Sequence, residues 1–385
     1  MEQVIRADQV FDGTVLHRDA AVHLGPDGRV VTVHHGADRL PKGLPRTDLG
    51  ACILSPGMVD LQVNGGGGAM VGAATDAAQL ADICASHARL GTTALLPTLI
   101  TDGADVTRQV LEAGFQAAQR GVSGFAGLHL EGPHLDPARK GAHDASLIRP
   151  MSAQDLTLLC DAAPKLPALI VTLAPEAVSA DQIATLAQAG VLVSLGHSGC
   201  SAEQARAAHQ AGAALVTHLY NAMGPMVNRA PGLVGAALTT PLRAGIIADG
   251  VHVAPECLAI ALQMKAESDL FLVSDAMAVA GTDMRDFTLG GRRILCRDGR
   301  LMLEDGTLAG ADISLAGAVA CLVGLQVPLA RALAMATRIP ADVIGATDRG
   351  RLQPGARGDM VALDPGLNVA AVWVGGQQVV QALRL

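Results

Sequence analysis

The feature that most constrains the fold is an alternation, through the middle of the chain, between short apolar runs and alanine-rich helical stretches. We count eight runs, at residues 58–63, 93–98, 125–130, 169–173, 191–195, 214–217, 245–248 and 270–274. Continuous apolar runs of this length suit strands of a parallel sheet that are buried on both faces. Eight strands with crossover helices predict an α/β fold, the (β/α)8 barrel, with a doubly wound open sheet as the alternative.

The segments between the runs carry helix signals. Ser201 and Gln204 have the spacing of a capping box, and residues 76–90 have one apolar face that ends at Gly91. No GxGxxG motif follows a strand, and no Gly-Lys pair exists for a P-loop. The nucleotide-binding versions of the open sheet therefore lack their usual support.

Both ends of the chain are different, because they consist of short β segments separated by turns. Residues 30–33 form a strand pattern after a turn at 25–28, and residues 360–363 and 371–374 flank turns near the C-terminus. We predict that the termini pair into one small β domain. The predicted division is a barrel at 54–350 and a β domain made of 1–53 and 351–385.

Composition excludes several classes of function. A net charge of −8 without a basic block, and only 2% aromatic residues, argue against a nucleic-acid partner. The most apolar run, residues 315–325, is too short for a membrane span, and the N-terminus lacks the apolar segment of a signal peptide. The seven cysteines are widely spaced without a CxxC motif, which favours free thiols. We expect a cytoplasmic protein with no membrane partner.

Polar residues follow the predicted strands at the end where a barrel carries its active site. In chain order they are Glu131, His197, His218, His252 and Asp275. Each alone is weak evidence, but one Glu and two His form a common zinc set that leaves a position for water. A carboxylate beside that water can act as a general base, so the pattern predicts a metal-assisted hydrolase. The sequence contains no GxSxG motif, which argues against a serine hydrolase.

Two further features have two interpretations each. The glycines at 65–68 either cradle a phosphate with their N–H groups or permit a close approach of other atoms. Arg229, in a loop after the sixth run, is either an anion clamp or an ordinary surface residue.

Several stretches together resemble one known family. They are His-Leu-Glu-Gly-Pro at 129–133, Leu-Gly-His-Ser at 195–198, Thr-His-Leu-Tyr-Asn-Ala-Met at 217–223, Ala-Asp-Gly-Val-His at 248–252 and Ser-Asp-Ala at 274–276. These stretches resemble the N-acetylglucosamine-6-phosphate deacetylases of the amidohydrolase superfamily. They occur in the same order as in that family, and the resemblance covers nearly the whole chain. The resemblance implies hydrolysis of N-acetylglucosamine 6-phosphate to glucosamine 6-phosphate and acetate. The alternatives are N-acetylgalactosamine-6-phosphate deacetylation, a non-catalytic binding barrel, and an amidohydrolase acting on a cyclic amide.

The resemblance also implies residue roles. Glu131, His197 and His218 would hold a divalent metal ion, zinc. Asp275 would be the general base and then the general acid, and His143 would polarise the amide carbonyl. The substrate would contact Ala142, Asn221, Ala222, Arg229, His252, Leu308, Ala309 and Gly310, with Arg229 reaching the neighbouring active site of a homodimer.

The chain departs from the superfamily at two places. Gln62 and Asn64 stand where many amidohydrolases have a His-x-His pair, and no lysine near 173–175 could bridge two metals, so we expect one metal per chain. His134 follows the Glu-Gly-Pro stretch where family members often have a bulkier apolar residue. It either lines the pocket or is an additional ligand.

Overall fold

The computed structural model describes residues 2–36, 40–297 and 299–380. Its strands are β1 (Gln3–Phe11), β2 (Leu16–Leu24), β3 (Val30–His35), β4 (Arg46–Asp48), β5 (Ile53–Pro56), β6 (Met58–Val63), β7 (Gly65–Gly66), β8 (Ala69–Met70), β9 (Thr92–Ile100), β10 (Leu128–Glu131), β11 (Leu169–Leu173), β12 (Leu192–Leu195), β13 (Leu215–Val216), β14 (Arg243–Ile246), β15 (Leu270–Leu272), β16 (Asp286–Leu289), β17 (Arg292–Arg297), β18 (Arg300–Leu303), β19 (Leu308–Ala311), β20 (Met360–Leu363), β21 (Val369–Val374) and β22 (Gln377–Val380). Its α-helices are α1 (Ala77–Ala88), α2 (Ala104–Gln119), α3 (Ala153–Ala162), α4 (Ala180–Gln188), α5 (Ala202–Gln210), α6 (Gly232–Thr239), α7 (Pro255–Met264), α8 (Leu315–Gly324), α9 (Leu329–Ala336) and α10 (Arg338–Val343).

An eight-stranded parallel sheet forms the centre of the molecule, in the order β6-β9-β10-β11-β12-β13-β14-β15. These strands match the eight apolar runs in sequence order, which confirms the predicted (β/α)8 barrel. The seventh run was placed two residues late, because β14 spans Arg243–Ile246. Ile247 has already left the strand and lies on the wall of the barrel mouth.

The first and last barrel strands meet without a regular ladder between them. The Asp275 N–H donates to the Gln62 carbonyl at 3.0 Å, and the Asn64 N–H donates to the Ala276 carbonyl at 2.8 Å. These two bonds hold Gln62, Asn64 and Asp275 side by side where the barrel closes.

A buried carboxyl group lies beneath this seam. Asp60 accepts hydrogen bonds from the backbone N–H groups of Ser274 and Gln62, each at 3.2 Å. Burial is the main cause that raises the pKa of Asp60, to about 7. The carboxyl group takes the place of ladder hydrogen bonds at this point.

Two of the predicted helix starts are confirmed. The Asp76 side chain accepts from the Gln79 N–H at the start of α1, and Gly91 lies beyond its end with φ +91°. A reciprocal capping box between Ser201 and Gln204 begins α5. These helices form where local signals agree with the apolar face.

The two ends of the chain share a second sheet, in the order β22-β21-β20-β5-β1-β2-β3, with β4 on β1. Its core includes Leu24, Leu54 and the only tryptophan, Trp373. This confirms a β domain built from both termini. The domain limits themselves stay a prediction, and residues 381–385 lie outside the described part.

A four-stranded antiparallel insert, β16 to β19, was not predicted. It has its own small core around Phe287 and Ile294, and it places Leu289 and Leu308 on the cavity wall. Turn dipeptides at Gly290-Gly291 and Asp305-Gly306 were the sequence signal for its hairpins.

Within the described residues, none of the helices has the length and apolarity needed to cross a membrane. All seven cysteines are free, as the sequence predicted.

Candidate active site

A cavity of about 270 Å³ lies at the C-terminal ends of the barrel strands, partly walled by the insert. Among the described residues that line it, none is a lysine or an arginine. Its wall contains eleven of the thirteen predicted site residues: Glu131, Ala142, His143, His197, His218, Asn221, Ala222, His252, Asp275, Leu308 and Gly310.

Three atoms that could bind a metal ion converge at one side of the cavity, from the side chains of Glu131, His197 and His218, which we call the ligand cluster. Glu131 Oε1 lies 2.9 Å from His218 Nε2 and 3.1 Å from His197 Nε2, and the two nitrogens are 3.1 Å apart. All three side chains are buried. A carboxylate oxygen and two imidazole nitrogens facing one point suit a divalent cation such as zinc, which takes O and N ligands.

The contacts behind His197 set its tautomer. Its Nδ1 lies 2.8 Å from the backbone carbonyl oxygen of Arg139, which can only accept a hydrogen bond. The Nδ1–H therefore donates, and Nε2 keeps a lone pair toward Glu131 and His218, as a metal ligand must.

The neighbouring histidines keep the Glu131 carboxylate ionised. Burial alone would raise the pKa of Glu131, but the contacts with His197 and His218 lower it well below its usual range. Burial likewise acts to lower the pKa of His218, whereas Glu131 raises it above its usual value. Glu131 is therefore ionised and ready to bind a cation.

The backbone is strained where the site residues follow their strands. His197, His218 and Asp275 have φ values of +46°, +28° and +52°, in the region that non-glycine residues rarely adopt. Such conformations cluster at functional sites, because the surrounding structure must hold them. Here they occur at two residues of the ligand cluster and at the carboxylate beside it.

Asp275 lies beside the ligand cluster and is held by two amides. Its Oδ1 accepts from Gln62 Nε2 at 3.0 Å and from Asn64 Nδ2 at 2.7 Å. Both side-chain contacts use Oδ1, which leaves Oδ2 available for a proton. Burial and the charge of Glu131 raise the pKa of Asp275 to about 6, so the carboxyl group can exchange a proton near neutral pH.

Gln62 also connects the two carboxylates. Its Nε2 lies 3.2 Å from each carboxylate oxygen of Glu131, in addition to its contact with Asp275. Sequence reasoning identified Gln62 only by what it lacks, as a neutral residue at a place where histidine is common. Its role as a donor to both acids depends on the closure of the barrel.

His143 is buried against His197, with ring centroids 4.4 Å apart. The ligand atoms of Glu131, His143 and His197 lie within 4.8 Å of one another. Burial is the main cause that lowers the pKa of His143, to about 3, so its imidazole is neutral.

The remaining predicted contacts surround the same cavity. Asn221 and Ala222 follow β13, and His252 Nδ1 pairs with Asp249 Oδ2 at 2.6 Å. Ala309 is the exception on β19, because its side chain is buried in the core of the insert, whereas Leu308 and Gly310 face the cavity.

Arg229 is not brought to the cavity of its own chain. It lies in the exposed loop between β13 and α6, where Met226 and Val227 are 52% and 49% exposed.

His134 neither lines the cavity nor joins the ligand cluster, so both interpretations of it were wrong. Its Nδ1 contacts the Arg149 carbonyl at 3.1 Å, and its Nε2 lies 4.0 Å from Asp155. The ring therefore lies against Arg149 and the first turn of α3.

The glycine run permits close packing. A Cβ at Gly65 would lie 2.3 Å from the Ala69 carbonyl oxygen, and one at Gly66 would lie 2.7 Å from His87 Nε2. The structure thus favours the close-approach interpretation over a phosphate cradle.

Comparisons with known proteins give consistent results. The model of the amidohydrolase family matches residues 53–379. An N-acetylgalactosamine-6-phosphate deacetylase from Shewanella sp. (strain ANA-3) is 37% identical over 88% of this chain and 86% of its own. An N-acetylglucosamine-6-phosphate deacetylase from Haemophilus influenzae is 32% identical over 94% of each chain. A crystal structure of N-acetylglucosamine-6-phosphate deacetylase from Pasteurella multocida superposes with a TM-score of 0.94 at 31% identity, covering 99% of this chain and 100% of the other.

Proposed function

The chain belongs to the amidohydrolase family, and we propose that it hydrolyses N-acetylglucosamine 6-phosphate to glucosamine 6-phosphate and acetate. The observation that carries the proposal is the convergence of Glu131, His197 and His218 beside Asp275 at the mouth of the barrel. Relatives of both hexosamine phosphate classes match most of the chain, and a solved structure of the glucosamine phosphate class shares the fold.

The ligand cluster fits one divalent cation per chain, which we assign as zinc. Glu131, His197 and His218 would hold it, because their ligand atoms face one another and His197 presents its unprotonated nitrogen. When bound, such a cation lowers the pKa of water and polarises a carbonyl group. Gln62 and Asn64 bring no charge to offset a second dication, which favours a single site.

The chain's own groups move the proton and position the amide. Asp275 accepts the proton of the attacking water and returns it to the nitrogen, because an amine leaves far more easily than an amide anion. His143 donates a hydrogen bond to the carbonyl oxygen as negative charge develops there. Asn221, Ala222 and His252, with the segments at 142 and 308–310, enclose the sugar phosphate.

Among the described residues that line the cavity of one chain, none is a lysine or an arginine that could bind the phosphate. Arg229 is exposed beside Met226 and Val227, which are unusually exposed for apolar residues. We therefore place Arg229 in the active site of the partner subunit of a homodimer, where its guanidinium would bind the phosphate. A phosphorylated substrate is retained in the cell, consistent with a cytoplasmic enzyme.

The second candidate substrate is N-acetylgalactosamine 6-phosphate, because the Shewanella relative bears that name at 37% identity. The two sugars differ at one hydroxyl group. A non-catalytic barrel is disfavoured, since the ligand cluster and Asp275 are all present.

Acetate release from the two phosphates, measured side by side as kcat/KM, tests the proposal. We expect turnover of both, with N-acetylglucosamine 6-phosphate preferred. A higher kcat/KM for the galacto substrate would reverse the assignment, and release from neither would overturn the deacetylase function.

A further inference from the structure

We propose that Thr101 is a positioning residue that holds His143 as the Nε2–H tautomer, so that His143 donates a hydrogen bond instead of coordinating the metal. The inference rests on the proposed function for its catalytic meaning. The tautomer itself follows from contacts in the structure alone.

Two groups of Thr101 face one nitrogen of His143. Thr101 is buried and directly follows β9; its backbone nitrogen lies 3.3 Å, and its Oγ1 2.7 Å, from His143 Nδ1. A backbone N–H can only donate, so Nδ1 must present its lone pair. A neutral imidazole carries one N–H, which is then on Nε2.

The hydroxyl hydrogen of Thr101 has two acceptors within reach, His143 Nδ1 and the Glu131 carbonyl oxygen. The Glu131 carbonyl oxygen lies at a long 3.4 Å from Thr101 Oγ1. The shorter contact, 2.7 Å to His143, is the stronger hydrogen bond.

His197 has the opposite environment. Its Nδ1 faces the Arg139 carbonyl, an acceptor, whereas Nδ1 of His143 faces two donors. The neighbouring rings are therefore set in opposite tautomers. His197 is thereby suited to bind the metal and His143 to donate a hydrogen bond. This difference holds although a nitrogen of each ring lies within 4.8 Å of a carboxylate oxygen of Glu131.

Gly132 leaves the space that the hydroxyl group uses. A Cβ at this position would lie 2.2 Å from Thr101 Oγ1, and its φ of +91° suits glycine. The Thr101 hydroxyl group therefore requires a residue without a side chain directly after Glu131.

Thr101→Val removes the hydroxyl group with little change in shape, and Thr101→Ser is the matched control that keeps it. Losing one neutral hydrogen bond to His143 should lower kcat about 3–10-fold, with KM and bound metal nearly unchanged. Thr101→Ser should stay within about twofold of wild type. A Thr101→Val enzyme with unchanged kcat, or with most of its metal lost, would overturn the proposal.

A double-mutant cycle distinguishes positioning from a general structural role. In a His143→Gln background, Thr101→Val should cost nothing further, because its effect acts through His143. The same loss in both backgrounds would show that Thr101 acts independently of His143.

¹⁵N NMR of histidine-labelled protein reads the tautomer without any substrate, with the His143 signals identified by their loss in His143→Gln. We expect Nε2 protonated and Nδ1 unprotonated. The reverse pattern overturns the proposal even if the enzyme is active. The expected pattern in a protein that releases no acetate supports the positioning and refutes the proposed function.

Discussion

Replacing Arg229 with alanine should weaken the binding of phosphorylated substrate specifically. The described cavity wall contains no lysine or arginine, and the guanidinium group of Arg292 behind it is bonded to the Ala142 carbonyl oxygen, so we expect Arg229 to be the main cationic contact of the dianion. A lost charge-assisted hydrogen bond is worth roughly 1.5–3 kcal/mol, which corresponds to an increase in KM of about 10–150-fold. Unphosphorylated N-acetylglucosamine makes no such contact and should be affected little.

The same variant tests where Arg229 acts. When Arg229→Ala and Asp275→Asn subunits form a heterodimer, an arginine acting across the interface completes one site, in the chain that keeps Asp275. Random exchange of equal amounts makes half of the dimers mixed, so the mixture should recover roughly a quarter of wild-type activity at low substrate concentration. An arginine acting within its own chain completes no site in the mixed dimer.

Acetate release from each separate variant and from their mixture is the assay, with two affinity tags to verify that mixed dimers have formed. A verified heterodimer without recovered activity refutes action across the interface. An equal loss with phosphorylated and unphosphorylated substrate shows instead that Arg229 is structural.

Three further substitutions test other parts of the account. Asp275→Asn should lower kcat by about 10²–10⁴-fold or more while fold and bound metal are retained, because the amide cannot accept the water proton; turnover within about threefold of wild type contradicts the assignment. Glu131→Gln should lose most of the bound metal together with activity, and retention of metal in elemental analysis would exclude Glu131 as a ligand. Burial raises the pKa of Asp60 from 3.8 to about 7 in the folded protein. The protonated carboxyl group therefore contributes to the free energy of unfolding at low pH, and this contribution is lost as the pH rises through this window. Asp60→Asn should flatten that part of the pH dependence in urea unfolding, and an unchanged slope would show that Asp60 does not titrate there.

The barrel was predictable because buried strands have a local sequence signal. Each appears as a continuous apolar run, and the polar site residues follow these runs. Residues 58–63 and 169–173 match β6 and β11 to the residue. The insert was missed because its strands are short and only half-buried, so their alternation is weak beside the barrel pattern.

The ligand cluster was predicted through its position after strands and through family resemblance, whereas the contacts that tune it were not. Thr101 meets His143 across 42 residues of sequence, and Gln62 meets Asp275 across 213. No local pattern encodes such pairings, because they arise only when the barrel closes. His134 shows the same limit, since Arg149 and Asp155 determine where it points.

Stepwise restoration of metal to the chelator-treated enzyme is the decisive test of a single-metal deacetylase site. N-acetylglucosamine 6-phosphate deacetylation should be lost on metal removal and should rise linearly with added zinc to a sharp limit at about one equivalent per chain, as expected for three protein ligands and one open position. Full activity in verified metal-free protein, or a limit at two equivalents, would contradict the single-metal deacetylase site built from Glu131, His197 and His218.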